Sequence, residues 1–90
     1  MEMKNFPHSK EHQALIALLK HLRLDAGIKQ EELAERLNRP QSYVSKYETG
    51  ERRLDFVDVY LICEALEVSF VRFVEEYESC LLYTSDAADE

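Results

Sequence analysis

Residues 30–49 read QEELAERLNRPQSYVSKYET and are followed at 50–54 by GERRL. Counted from Gln30, the fourth, fifth and eighth places hold Leu33, Ala34 and Leu37, the ninth Asn38, the fifteenth Val44 and the eighteenth Tyr47. This spacing describes two short helices joined by a tight turn. Leu33 and Leu37, four apart, put an apolar edge on the first helix. Ala34 is small where the second helix must cross. Asn38 stands where glycine is commonest, and it is among the few other residues that accept the left-handed backbone such a turn needs. Pro40 suits the start of the second helix and Gly50 its end. Val44 then packs the second helix back onto Leu33 and Leu37.

Outward from this stretch the helical spacing continues. Leu15, Leu18, Leu19, Leu22 and Ala26 form an i, i+3, i+4 stripe closed by Gly27. Phe56 to Leu66 reads as another helix, with Val59, Cys63 and Leu66 inward and Asp55 placed to cap it. Ser69 is set to cap a fifth helix, whose apolar face is Phe70, Phe73, Val74 and Tyr77. No strand-like alternation of useful length appears. The expected architecture is all-α, one compact five-helix domain. It spans residues 14–79, with the two-helix unit at 30–49 and a flexible N-terminal segment at 1–13.

Composition bounds the reading further. Ninety residues allow a single domain, and 46% apolar residues with two Gly and two Pro argue against a disordered chain. No apolar run approaches the ~18 residues that span a bilayer. Two Cys without a secretory leader point to a reducing cytoplasm rather than a disulfide scaffold. Residues 80–90, CLLYTSDAADE, break the pattern before them. One back-translation of the first ten, TGT-CTC-TTA-TAC-ACA-TCT-GAC-GCT-GCC-GAC, matches the transposon end and adaptor of short-read sequencing libraries. We read this segment as a non-native tail and set it aside.

The formal charge of −7 argues at first against nucleic acid. Its placement argues otherwise. From Arg36 to Arg53 five cations face two acids, a net +3, whereas Leu54 to Ser79 carries a net −6. A basic segment is thus followed by an acidic one.

The runs QEELAERL at 30–37 and PQSYVSKYETGERRL at 40–54 resemble the phage Cro/C1 repressor-type family, to which bacterial xenobiotic-response-element regulators also belong. The resemblance covers roughly Leu15 to Phe73. It implies a lambda-repressor-like helix-turn-helix domain that binds double-stranded DNA sequence-specifically and regulates transcription as a repressor. The helix 41–48 is expected to enter the major groove. Family likeness assigns base reading to Gln41, Ser42, Ser45 and Lys46. The chemistry agrees, since an amide pairs bidentately with adenine and an ammonium donates to guanine. Likeness also assigns a DNA-backbone bond to Gln30, and a structural salt bridge to Arg23 and Glu48. Arg52 and Arg53 are natural phosphate or minor-groove contacts, and Thr49 is grouped with them as a backbone contact. Arg39 is read either as a backbone contact or as a solvated charge. Tyr43 is read either as a contact to a thymine methyl or sugar or as a partly buried aromatic.

Because one such domain covers only a half-site, a homodimer is expected, with Phe70, Phe73, Val74 and Tyr77 as candidate interface residues. The alternative is an antitoxin that also autorepresses its operon, with the acidic Leu54–Ser79 segment facing a toxin protein. His8 to His12 matches an H-x-x-E-H zinc motif by letter, but no convincing third ligand follows. Cys63 lies on a core stripe with no His or second Cys nearby. No glycine-rich phosphate loop is present. The chain is therefore read as a non-enzyme, without metal or cofactor.

Overall fold

The computed structural model describes residues 9–89, with side chains described through Leu82. Five helices follow one another: α1 Lys10–Asp25, α2 Gln30–Leu37, α3 Gln41–Thr49, α4 Phe56–Ala65 and α5 Phe70–Asp89. No strand occurs among the described residues.

Each boundary has a local cause. The Ser9 hydroxyl accepts the His12 amide at 3.1 Å and starts α1 at Lys10. Residues 10–13 are thus helical, and His12 is buried at 5% exposure. This differs from the expected flexible segment over 1–13, because the Ser9 cap and the burial of His12 recruit a further helical turn. Ala26 also departs from expectation. It is the C-cap of α1 and exposed, so it leaves the apolar stripe, and Gly27 follows at φ +73°.

The turn between α2 and α3 has Asn38 in the left-handed region at φ +62°. There the Asn38 and Arg39 amides donate to the Glu35 and Ala34 carbonyls at 3.0 and 2.9 Å. Gly50 ends α3 at φ +88°. At the start of α4, Asp55 and Asp58 close a reciprocal capping box of 2.8 and 3.0 Å. The Ser69 hydroxyl accepts the Arg72 amide at 3.3 Å in the first turn of α5. Beyond α4, Glu67 also takes left-handed backbone at φ +62°. No glycine or asparagine marks this turn, so the sequence pattern does not reveal it.

The core gathers around six fully buried side chains: Leu19, Leu33, Val44, Tyr47, Ile62 and Cys63. They come from four helices, and Phe73 adds the fifth at 3% exposure. Helix α2 packs on α3 and α4, α1 on α3 and α5, and α4 on α5. Ala34 is 2% exposed, so any larger side chain there would push α3 away. Burial pushes the Cys63 thiol up to about 11, which keeps it neutral and apolar in character. Among the described residues no helix is long and apolar enough to cross a membrane.

Candidate nucleic-acid interface

Helix α3 has two faces set by burial. Val44 and Tyr47 are wholly buried, and Tyr43 is 6% exposed. Gln41, Ser42 and Lys46 are exposed and Ser45 is half-buried. Gln41 with Ser45, and Ser42 with Lys46, are four apart, so these four side chains form one outward polar edge. The edge is anchored from behind by α1 and α2.

The anchor is a single carboxylate. Arg23 of α1 donates to Glu48 through Nε at 2.7 Å and through a terminal nitrogen at 3.0 Å, and its other terminal nitrogen donates to the Ile28 carbonyl at 2.8 Å. Side-chain exposure is 7% for Arg23 and 2% for Glu48. Two parallel bonds in a site this dry fix both direction and distance. Gln30 of α2 donates a third bond to Glu48 at 2.8 Å, and its carbonyl oxygen accepts weakly from Gln41 at 3.4 Å. The Gln30 amide nitrogen is therefore turned inward to Glu48. What the start of α2 offers outward is its first-turn backbone amides, since Lys29 supplies no side-chain cap.

The remaining candidates divide by what already occupies them. Lys46, Arg39, Arg52 and Arg53 are exposed. The Thr49 hydroxyl donates to the Lys46 carbonyl at 3.0 Å, which spends its proton within the helix. The guanidinium carbons of Arg39 and Arg52 lie 4.7 and 4.9 Å from the centre of the Tyr43 ring. That ring also meets Tyr47 edge-on at 5.7 Å. Tyr43 is thus largely buried beneath two arginines, and burial raises the pKa of its hydroxyl. Arg36, counted with the basic stretch, belongs elsewhere: it donates to the Ala65 carbonyl at the end of α4 at 2.7 Å and to Glu32 at 3.0 Å.

A second surface lies on α4 and α5. Phe56, Val57, Tyr60 and Leu61 of α4 and Val71 and Val74 of α5 are large apolar side chains left exposed, Phe56 at 73%. Of the four expected interface residues, Val74 is exposed, Phe70 and Tyr77 are half-buried and Phe73 is core. Phe73 turns inward into the core, and the Tyr77 hydroxyl donates to the Glu11 carbonyl at 2.8 Å, tying α5 to α1. Phe70 is met edge-on by Phe56 at 5.3 Å and by Tyr60 at 5.5 Å. The α4 residues had no motif to signal them; their spacing alone reads equally well as core.

His8 of the zinc-like pentapeptide lies outside the described residues. Among the described residues no three His, Cys, Asp or Glu side chains gather as a metal site.

Two helices crossing at an asparagine turn, the second carrying a polar outer edge, define a helix-turn-helix domain. The sequence profile of the family described as helix-turn-helix matches residues 19–73, and the chain belongs to that family, in its Cro/C1 type. Solved structures agree over most of the chain. The wild-type restriction-modification controller protein C.Esp1396I is 34% identical, with a TM-score of 0.77 over 82% of this chain and 97% of that one. The same controller has been seen as a tetramer in complex with its natural 35 base-pair operator, again at 34% identity, a TM-score of 0.77 and the same coverage. An XRE-family like protein from Pseudomonas syringae pv. tomato str. DC3000 is 39% identical, with a TM-score of 0.77 over 88% of this chain and 96% of that one. No curated protein matches.

Proposed function

We propose that this protein is a sequence-specific regulator of transcription that inserts α3 into the major groove of duplex DNA and represses. The observation that carries the reading is the outward edge of Gln41, Ser42, Ser45 and Lys46, held by the buried Arg23–Glu48 pair and flanked by Arg39, Arg52 and Arg53. In this reading the first four touch base edges. Arg39, Arg52 and Arg53, the amides at the start of α2 and the neighbourhood of Thr49 meet phosphates. The operator-bound controller among the structural neighbours supports it.

The working unit is proposed to be a homodimer formed through Phe56, Val57, Tyr60, Leu61 and Val74. A second copy is the occupant that fits, because one α3 covers a half-site and a pair spaces two of them about 34 Å apart. The tetrameric neighbour supports self-association of this kind of chain. With such a partner the site of action is the cytoplasm, and no cofactor or catalysis is invoked.

Three of the seven acids that suggested a toxin-facing surface have work within the fold. Asp55 and Asp58 cap α4, and Glu67 lies 4.0 Å from Arg36. The antitoxin alternative gains no support from the structural neighbours.

The test is selection of binding sites from random duplexes by the full chain. One enriched motif, arranged as two half-sites a helical turn apart, is the expected result. Recovery of no motif would sink the sequence-specific reading, and a single unrepeated half-site would sink the dimer.

A further inference from the structure

We infer that Tyr43 is a positioning residue, a largely buried aromatic seat that holds Arg39 and Arg52 together and ready for the DNA backbone. The inference rests on the DNA-binding reading above and assigns the arginines a device that the helix-turn-helix spacing does not contain.

Arg39 lies just before α3 and Arg52 just beyond it, yet both guanidinium carbons come within 5 Å of one ring centre, at 4.7 and 4.9 Å. Two like charges brought to one spot repel, so the convergence needs an attraction. The negative faces of the ring supply one. The ring in turn is packed into the fold. It is 6% exposed and set edge-on at 5.7 Å against Tyr47, itself wholly buried.

The kind of contact matters for what is left over. Arg23 and Arg36 spend their N–H donors on carboxylates and carbonyls inside the fold. No side-chain hydrogen bond or ion pair holds Arg39 or Arg52 among the described residues, and a contact to an aromatic ring consumes no donor. Both guanidiniums therefore keep their planar fork for phosphate oxygens. A long arginine left in solvent must give up its rotamer freedom when it binds; one already seated gives up less. Because the seat belongs to α3, the two cations move with the base-reading edge.

Two variants test this, Tyr43→Phe, which keeps the ring, and Tyr43→Leu, which keeps apolar bulk without it. In the free protein, side-chain NMR resonances of Arg39 and Arg52 should be shielded by the ring current in the wild type and in Tyr43→Phe, and lose that shielding in Tyr43→Leu. On the selected duplex, Tyr43→Leu should bind roughly five- to thirtyfold more weakly with unchanged base preference, and Tyr43→Phe within about twofold of wild type. Arg39→Ala and Arg52→Ala should each cost less in the Tyr43→Leu background than alone. Unshielded arginines in the wild type, or arginine losses that simply add to that of Tyr43→Leu, would overturn the seat. A purely structural role of the ring would lower the melting temperature yet leave the arginine losses additive. Shielded arginines in a wild type that binds no duplex would leave the seat standing and defeat the DNA-binding reading instead.

Discussion

The α2–α3 half and the α4–α5 half of this molecule share one core but finish their surfaces in opposite ways. On α3 the exposed side chains are polar or cationic: Gln41, Ser42 and Lys46, with Arg39, Arg52 and Arg53 beside them. On α4 they include Phe56, Val57, Tyr60 and Leu61, with Val71 and Val74 on α5. The first surface offers polar and cationic groups suited to a polyanion. The second exposes large apolar side chains that water satisfies poorly. Both halves are equally helical; what separates them is the partner each leaves room for.

The largest effect expected on this division comes from the buried pair behind α3. Arg23→Met leaves the Glu48 carboxylate in a dry site with only Gln30, and should cost about 3–5 kcal/mol in urea denaturation. Restoring apolar pairing with Glu48→Leu in the same chain should return much of that loss. On the other half, Phe56→Asp combined with Val74→Asp places two charges on the apolar face. Sedimentation should then show the dimer constant weakened by at least about thirtyfold, roughly 2 kcal/mol, with the monomer still folded. If dimers persist, the contrast between the halves has been drawn at the wrong face.

The outer edge of α3 responds at a lower level. Gln41→Ala or Lys46→Ala should each cost ~1–3 kcal/mol on the preferred duplex and relax the choice of base at one position. Tyr47 offers a change of opposite sign. Its hydroxyl is buried with no hydrogen-bond partner among the described residues, so Tyr47→Phe should stabilise the fold by about 1 kcal/mol in thermal denaturation. The smallest and least selective effect is expected for Arg53→Ala, which should weaken all duplexes alike and reduce the slope of log affinity against log salt by about 1.

The sequence carries one half of the molecule better than the other, for a physical reason. Leu33, Ala34, Asn38, Val44 and Gly50 each satisfy a steric demand that few residues meet, so their spacing identifies the turn and both helices around it. Asp55 and Ser69 likewise announce helix starts, because short oxygen-bearing side chains are favoured there. The apolar residues of α4 give no such direction. Val57 and Leu61 have the same chemistry as Val59 and Ile62, and only the packed chain sorts the exposed pair from the buried one. Tyr43 was ambiguous for a related reason, since a tyrosine suits both a core and a DNA surface. Charge counted along the chain also misleads at Arg36, whose donors go to the end of α4. Glu67 in left-handed backbone was invisible, because nothing in a glutamate marks it for that conformation.

The single carboxylate of Glu48, bound from both Arg23 and Gln30, separates what can vary from what cannot. Any change to it must be matched on two other helices at once, whereas Gln41, Ser42, Ser45 and Lys46 can be exchanged one at a time without disturbing a buried charge. On the base-reading role proposed for those four, a lineage of such proteins can drift from one DNA word to another in single viable steps. The route to a new target runs along the outside of α3, and the inside need never be reinvented.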